Sequence, residues 1–415
     1  MLDEKSKTMI VDHYPPKDDF PRTSLGEREY SAFTLMNEDE PSVACTPRDS
    51  RSVTIEWITR VADMESLAGE WRMLESAVLD RTVFSTFDFL ITWYRNYAGA
   101  YGGDPLIGIA RRGGKLVGGA PLVIRRGRLG GIPLTRVQFA MHDCFAGEFL
   151  VEDEHPETIG AFIDSLADTV RRGLICLNGI EPGTDRFRTV EESAKRHRLA
   201  IERTNHPNAL VDLKNGYDGY CDAMSKNFRR TVKRQAQRLT AAGAPVVDGV
   251  QLTTGIDRLE ESIHRLIAVN EASYKLKGQR LPDIHRDYLA GLARQFGPRG
   301  MLHLSLLSIG GKDAAVVMGL VERGCYYDVT LAYDEKFAEL SPGACLMQEV
   351  LRDLAASGIH TMVSHGAHDY KRRWSTAFIP STRLFLFSRS SSGLLSRFVR
   401  FTMAPVWQRL GAEEP

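Results

Sequence analysis

Two stretches in the second half of the chain combine a glycine with residue types that bind anions or transfer protons. The first is Leu340-Ser341-Pro342-Gly343-Ala344, which opens a segment with apolar residues at helical spacing. Ser341 is predicted to cap that helix and Pro342 to begin it, which leaves only Gly343 and Ala344 in the first turn. The bare backbone N–H groups and the helix dipole suit a diphosphate. A well-capped structural helix without a ligand is the alternative.

The second stretch follows a predicted strand at 360–363 and is rich in titratable side chains. Asp369 or a neutral His365 is the candidate base for an attacking amine or hydroxyl. Tyr370 is the candidate proton donor to a thiolate leaving group, and Lys371 the candidate partner of a phosphate or an oxyanion. An ordinary charged hairpin is the alternative.

A zinc site is the other interpretation of this region, through His360, His365 and His368. No cysteine or carboxylate completes a familiar ligand spacing, so we predict no metal.

A third stretch, Ser225 to Leu239, predicts an amphipathic helix with a basic face. Its apolar face is predicted to hold Phe228, Val232, Ala236 and Leu239. No acidic residue stands among its six cations, which are Lys226, Arg229, Arg230, Lys233, Arg234 and Arg238. We predict that Lys226, Asn227, Arg229 and Arg230 bind an anionic substrate such as a nucleotide sugar, a lipid-linked phosphate or tRNA. A solvated basic face is the alternative.

Aromatic residues are dense between positions 84 and 97. Such a cluster stacks on sugars or fills a core, and burial in a core is the favoured interpretation. The cluster consists of Phe84, Phe87, Phe89, Trp93, Tyr94 and Tyr97.

The order of predicted elements repeats along the chain. In the first half, strands at 106–110 and 116–124 form a hairpin, and a helix at 157–171 precedes a short strand. In the second half, three strands between 302 and 331 precede a helix from Pro342 to Ser357 and another strand. This weak internal repeat predicts two similar α/β domains, and chance similarity is the alternative.

We therefore divide the chain into four parts. These are a disordered or loosely attached tail at 1–50, a first domain at 51–215, a second domain at 216–390, and an amphipathic tail at 391–415 that docks on the protein or lies on a membrane surface.

Overall composition excludes several classes of protein. Lysine plus arginine and aspartate plus glutamate both total 53, so no net charge attracts nucleic acid or an anionic membrane, and we expect no DNA partner. The 6 cysteines form no CxxC pair, which favours a reduced compartment. The first residues lack a secretory signal, and no apolar run reaches transmembrane length. We expect a cytoplasmic protein, peripheral to the inner face of the membrane at most.

These stretches resemble a known family. Ser225-Lys226-Asn227-Phe228-Arg229-Arg230, Leu340-Ser341-Pro342-Gly343 and Gly366-Ala367-His368-Asp369-Tyr370-Lys371 resemble the GNAT-type acetyltransferases of cellulose and exopolysaccharide biosynthesis, the CelD/BcsL family. That family is related in fold to the Fem-type aminoacyl transferases. The resemblance covers roughly residues 55 to 390 and departs from the usual GNAT phosphate loop, because Gly343 is its lone glycine.

The resemblance implies an α/β fold with two tandem GNAT-like domains, each a mixed, largely antiparallel sheet flanked by helices. It also implies an acyl-CoA co-substrate and direct acyl transfer. The acyl-CoA pyrophosphate would lie at Ser341, Gly343 and Ala344, with the carbonyl beside the strand that ends at Tyr333. Because Glu157 begins the corresponding helix of the first domain, we expect one donor site, in the second domain.

The implied acceptor is a sugar, a polysaccharide precursor or another small anionic molecule, and a membrane-bound polysaccharide synthase is the implied partner. Two alternatives stay open. One is a Fem-like transferase that takes aminoacyl-tRNA, with the basic helix on the RNA. The other is a non-catalytic component of a polysaccharide synthase complex.

Overall fold

The computed structural model describes residues 52–99, 103–129, 132–141, 147–170, 173–250, 256–273, 276 and 279–403. The predicted tail at 1–50 and the end of the predicted C-terminal tail, from residue 404, lie outside the described residues.

The described residues form fifteen strands. They are β1 (Thr54–Ile58), β2 (Asp104–Arg112), β3 (Lys115–Leu129), β4 (Ile132–Phe139), β5 (Leu150–Val151), β6 (Gly173–Ile180), β7 (Ala200–Asn205), β8 (Asn208–Asp212), β9 (Pro245–Val250), β10 (Leu302–Ile309), β11 (Lys312–Glu322), β12 (Cys325–Tyr333), β13 (Thr361–Ser364), β14 (Ala377–Ile379) and β15 (Thr382–Phe387).

Twelve α-helices connect or flank these strands in the described part of the chain. They are α1 (Val61–Ser66), α2 (Ala68–Ala77), α3 (Phe87–Tyr97), α4 (Glu157–Thr169), α5 (Asp185–Arg196), α6 (Gly216–Ala223), α7 (Lys226–Ala242), α8 (Leu259–Glu271), α9 (Asp283–Phe296), α10 (Pro342–Ala356), α11 (Asp369–Arg372) and α12 (Ser391–Phe398). Short 3₁₀ helices include Val83–Ser85 and Glu335–Leu340, and a π turn follows α12 at Val399–Met403.

The strands form two mixed sheets. The first has the order β1-β2-β3-β4-β6-β15-β7, with β5 beside β3, and the second has the order β14-β8-β13-β12-β11-β10-β9. Each sheet contains an antiparallel meander (β2-β3-β4 or β10-β11-β12) and then one parallel pair, β4 with β6 or β12 with β13. A helix, α4 or α10, lies between the two members of each parallel pair in the chain. The predicted fold class, two mixed and largely antiparallel sheets flanked by helices, is confirmed.

Sheet membership does not follow chain order. Strand β15, near the end of the described chain, pairs with β6 and β7 in the first sheet. Strand β8, which precedes residue 215, pairs with β13 and β14 in the second sheet. The division at residue 215 stays a prediction, and each sheet contains a strand from the other side of it.

The largest apolar core joins the two sheets. It combines residues of α3, α8 and α9 with residues of β2, β3, β10 and β11. A second core lies on the other face of the second sheet, under α6, α7 and α10. Strand β11 is buried from Ala314 to Val321 because helices cover both of its faces.

The predicted aromatic cluster belongs to this core. All six side chains are buried, Phe87 being the most exposed at 6%. The interpretation of these residues as core is confirmed.

Candidate functional site

The second sheet opens where β12 and β13 separate. Their parallel pairing runs from Cys325 beside Thr361 to Tyr327 beside Val363, and no further pair joins the two strands in the described chain. Strand β12 also contains a bulge, because Met318 faces Thr330 and Gly319 faces Asp328, which leaves Val329 without an opposite residue on β11. A bulge next to a strand separation leaves backbone groups outside the regular ladder, where a ligand is able to use them.

The predicted pyrophosphate turn follows the open end of β12. The 3₁₀ helix Glu335–Leu340 leads to Ser341, and α10 begins at Pro342, as the sequence predicted. The predicted side-chain cap is wrong: Ser341 has a left-handed backbone, with φ 54° and ψ 48°, and its side chain makes no capping hydrogen bond. Its carbonyl instead accepts hydrogen bonds from the N–H groups of Ala344 and Cys345, at 3.1 Å each.

The first turn of α10 is open on one side only. Gly343 is buried, and a Cβ atom there would lie 3.3 Å from Leu331 Cδ2 and 3.5 Å from Tyr333 Cδ1. Ala344 is exposed. The lack of a side chain at Gly343 therefore allows α10 to pack on β12, and Ala344 is the small residue that faces the solvent.

The basic helix lies beside this turn. Helix α7 begins at Lys226, after Ser225 Oγ accepts a hydrogen bond from the Phe228 N–H, and it contacts both α10 and the 3₁₀ helix Glu335–Leu340. The prediction of Ala236 on its apolar face is wrong, because Ala236 is exposed, and Thr231 and Gln235 are half-buried instead.

All six cations of α7 are exposed. Arg229 lies 3.3 Å from Asp222, so that one has an acidic neighbour outside the helix. Within the described residues, no carboxylate pairs with Lys226, Arg230, Lys233, Arg234 or Arg238. Asn227 is exposed on the first turn. The structure thus places four predicted substrate-binding residues, Lys226, Asn227, Arg229 and Arg230, together at the start of α7.

The four predicted catalytic residues occupy different environments. Asp369 begins α11 with 79% of its side chain exposed, and Tyr370 is 41% exposed and stacks on His368. His365 and Lys371 are buried, at 5% and 1% exposure, and Lys371 Nζ donates a hydrogen bond to the His365 carbonyl oxygen. Burial and the Lys371 charge hold the pKa of His365 well below its usual range. Their roles stay predictions.

The first half of the chain contributes to the same region. The ring of Phe84 lies 5.2 Å from that of Tyr327 on β12 and 5.3 Å from that of His365, centroid to centroid. The 3₁₀ helix Val83–Ser85 thus covers the beginning of the strand separation.

Sequence reasoning missed one polar pair at this place. Ser364 Oγ donates a hydrogen bond of 2.6 Å to Asp328 Oδ2, which joins β13 to β12 at the position where their ladder ends. Both side chains are buried. The available signal was a single charged residue, the aspartate, inside the strand Cys325 to Tyr333.

Two other sequence hypotheses concern metals and membranes. In the described part of the chain, no three His, Cys, Asp or Glu side chains are grouped to hold a metal ion. No described helix combines the length and the apolar character that crossing a membrane requires. Helix α12 packs on the first sheet, as the docking interpretation of the C-terminal tail predicted, while Leu394, Leu395 and Phe398 stay exposed.

Comparison with known proteins gives one family match. A model described as an acetyltransferase (GNAT) domain matches residues 226–372, which contain α7, β12, α10 and α11. No curated protein matches the chain.

Solved structures share the fold at low sequence identity. FemX is 10% identical with a TM-score of 0.53, covering 79% of this chain and 98% of that chain. The C-terminal domain of a putative lysylphosphatidylglycerol synthetase from Agrobacterium fabrum is 11% identical, with a TM-score of 0.49 and coverages of 82% and 97%. A tandem GNAT protein from the clavulanic acid biosynthesis pathway is 14% identical, with a TM-score of 0.47 and coverages of 81% and 98%. The domain match supports an acyltransferase, and the likeness to FemX shows the fold.

Proposed function

We propose that this chain transfers an acyl group from acyl-CoA to an amine or hydroxyl of a sugar, a polysaccharide precursor or another small anionic acceptor. The observation that carries the proposal is the separation of β12 from β13 directly before a helix start with one exposed small residue, Ala344. The donor thioester would lie along β12, with its pyrophosphate at Ser341, Gly343 and Ala344. The bulge at Val329 leaves backbone groups on β12 that are able to polarise the carbonyl.

The charged residues around the turn are mostly acidic and would repel an anionic donor unless the cations of α7 offset their charge. The 3₁₀ helix and its flanks contain Asp334, Glu335 and Glu339 against the single cation Lys336. The exposed cations of α7, which contacts this segment, offset that negative charge. We therefore assign Lys226, Arg229 and Arg230 to the binding of phosphate groups, on the donor or on the acceptor.

Substitution of Ala344 tests the donor site. Ala344→Glu places a carboxylate in the first turn of α10, where a negative charge stabilises the helix but repels a phosphate. We expect acetyl-CoA binding, measured by isothermal titration, to weaken at least tenfold while the Tm is unchanged or higher.

Ala344→Gln is the matched control, since it has the same size without the charge, and it should bind within threefold of wild type. No binding of acetyl-CoA by wild type, or equal binding by all three proteins, would refute the donor site. Gly343 is a poorer position, because a Cβ atom there would lie only 3.3 Å from Leu331 Cδ2 and a larger side chain would disturb the packing of α10 on β12.

A second candidate is a Fem-like transfer from aminoacyl-tRNA. The shared fold with FemX and the five cations of α7 without a carboxylate partner favour it. Binding of tRNA that falls steeply with salt, together with no binding of acetyl-CoA, would replace the first proposal by this one. The association with polysaccharide synthesis rests on the family resemblance and is proposed on that basis.

A further inference from the structure

Helix α12 lies on the first sheet with its small residues buried. It contacts β4, β6 and β15. Gly393 and Ser396 are buried, and a Cβ atom at Gly393 would lie 2.3 Å from the Ser388 carbonyl oxygen. Close approach of this helix to the protein therefore depends on its small residues.

The large apolar residues of α12 point the other way. Leu394, Leu395 and Phe398 are 43%, 50% and 49% exposed, and their spacing of one and three to four residues places them on one side of a helix. A helix of a globular protein normally buries such a side, whereas α12 presents it to solvent. An exposed apolar surface of this kind marks an interaction site. We call these three residues the apolar face of α12.

Other residues hold α12 in place. Phe401, in the π turn that follows the helix, packs on Phe385 and Phe387 of β15 with ring centroids 5.2 and 6.1 Å apart. Arg397 Nε donates a hydrogen bond of 2.7 Å to Glu202 on β7. The helix is thus fixed to the first sheet at points outside its apolar face.

Cations of the β3–β4 hairpin lie on the same side of the first sheet. Arg136 follows Leu134 by two residues on β4, so the two side chains share a face. Leu134 belongs to the small core into which Phe401 packs. Arg125 stands directly opposite Arg136 on β3. Like charges at opposite positions of a hairpin are unfavourable, and a nearby anionic surface relieves that cost.

The charge of both segments has one sign. Residues 125–141 contain four arginines and residues 386–403 contain three, and neither stretch contains an aspartate or a glutamate. The whole chain has 53 basic and 53 acidic residues, so this excess of positive charge is local. An apolar helix face with arginines beside it is complementary to a bilayer that contains anionic lipids, which offers acyl chains and negative headgroups together.

We infer that the apolar face of α12 and the arginines beside it form a docking surface for an anionic lipid bilayer. Leu394, Leu395 and Phe398 enter the boundary between headgroups and acyl chains, and the arginines contact the headgroups. The eight-residue helix is about 12 Å long, and the hydrocarbon core is about 30 Å thick. Helix α12 therefore lies in the surface of the bilayer. This inference is independent of the acyl donor proposed above.

Vesicle binding by the full chain tests the surface. Sedimentation with vesicles of phosphatidylcholine and phosphatidylglycerol in equal amounts should show binding. Vesicles of phosphatidylcholine alone should bind about tenfold more weakly, because the arginines lose their partners. Binding to the mixed vesicles should weaken at high salt, which screens the attraction.

A triple variant removes the apolar contribution. Leu394→Ser/Leu395→Ser/Phe398→Ser should bind mixed vesicles about tenfold more weakly or less still, because the three side chains no longer gain by leaving water. Its Tm should equal that of wild type, since these side chains are already exposed.

The matched control changes three apolar residues that are at least as exposed and lie elsewhere. In the described chain, Met73, Leu79 and Val246 are 65%, 74% and 56% exposed. Met73→Ser/Leu79→Ser/Val246→Ser should bind mixed vesicles within threefold of wild type. An equal loss in both triple variants would mean that any exposed apolar residue adheres to lipid, and would overturn the assignment to α12.

A charge variant tests the arginines. Arg125→Gln/Arg389→Gln should weaken binding to mixed vesicles by about fivefold for each charge removed, and should change binding to phosphatidylcholine vesicles less than twofold. An equal change on both kinds of vesicle would refute the role of the arginines.

Two further results would overturn the inference as a whole. One is no binding of wild type to mixed vesicles, or equal binding by wild type and the α12 triple variant. The other is a wild-type dimer, observed by analytical ultracentrifugation, that the α12 triple variant does not form and that does not bind vesicles. That result would assign the apolar face to a second copy of this chain.

Discussion

Among the candidate site residues, His365 has a pKa that departs clearly from its usual value. Burial and the charge of Lys371 lower the pKa of His365. The folded protein therefore protonates this histidine at a lower pH than the unfolded chain does, since an unperturbed histidine titrates near pH 6.5. The stability that results is complete above about pH 6.5 and is lost as the pH falls, by at most about 1.4 kcal/mol per unit.

A denaturant experiment checks this sign. Between pH 7 and pH 5, the free energy of unfolding of wild type should fall by about 1–2 kcal/mol more than that of His365→Asn. His264→Asn, at an exposed position on α8, should behave as wild type. The same loss in wild type and His365→Asn would show that His365 takes up its proton in the folded state.

The burial of His365 also distinguishes the two candidate general bases, His365 and Asp369. In the sequence, Asp369 and His365 are equivalent candidates, since both follow a predicted strand and neither has a visible neighbour. The structure distinguishes them: Asp369 is in solvent, and His365 lies under Phe84, a residue 281 positions earlier in the chain. No local pattern contains that contact, so the sequence was unable to rank the two.

At the scale of elements, α7 has a row of exposed cations that repel one another weakly. Arg230 lies four residues after Lys226 and four before Arg234, and like charges at this spacing destabilise a helix. The stripe is the anion-binding surface proposed above, so neutral side chains in it should relieve the repulsion at the expense of binding. The double variant Arg230→Gln/Arg234→Gln should therefore have an unchanged or slightly higher Tm.

Binding measurements decide what the stripe holds. With UDP-N-acetylglucosamine and unacylated tRNA as probes, the double variant should bind about tenfold more weakly to whichever one wild type binds. Gln237→Ala, on an exposed position of the same helix, is the control and should not change the affinity. No binding of either probe by wild type would leave α7 as a solvated basic face.

Element prediction from sequence succeeded where a local pattern determines the structure. The hairpin of β2 and β3 and the helix after Ser341 follow from glycine turns and apolar periodicity, both of which are local. The bulge at Val329 and the end of the β12–β13 ladder are features of the pairing of β12 with β11 and β13. The sequence of β12 alone therefore does not predict them.

Across the whole molecule, the two sheets are held together by buried ionic contacts as well as by the shared core. Arg81 lies 2.7 Å from Glu322, and only 9% of each side chain is exposed. Asp88 on α3, itself 3% exposed, is contacted by Gln295 and Arg299 from the second half of the chain. These contacts predict that both sheets unfold together.

Removal of one partner tests this arrangement. Arg81→Ala leaves Glu322 buried without its closest cation, so the free energy of unfolding should fall by about 3–5 kcal/mol, with a single transition retained. Arg294→Ala, which breaks an exposed pair with Glu260, should leave the Tm unchanged. Two separate calorimetric transitions in wild type would contradict the coupling of the sheets.

The place of β15 has a consequence for how the chain is made. Strand β7 reaches β6 only through β15, which the ribosome synthesises more than 170 residues later. The edge of the first sheet therefore stays exposed until β15 has left the exit tunnel, after strands β9 to β14 of the second sheet. The first sheet is thus completed only after the strands of the second sheet have been synthesised, and a nascent chain stalled before Thr382 has an unsealed strand edge of the kind that chaperones protect.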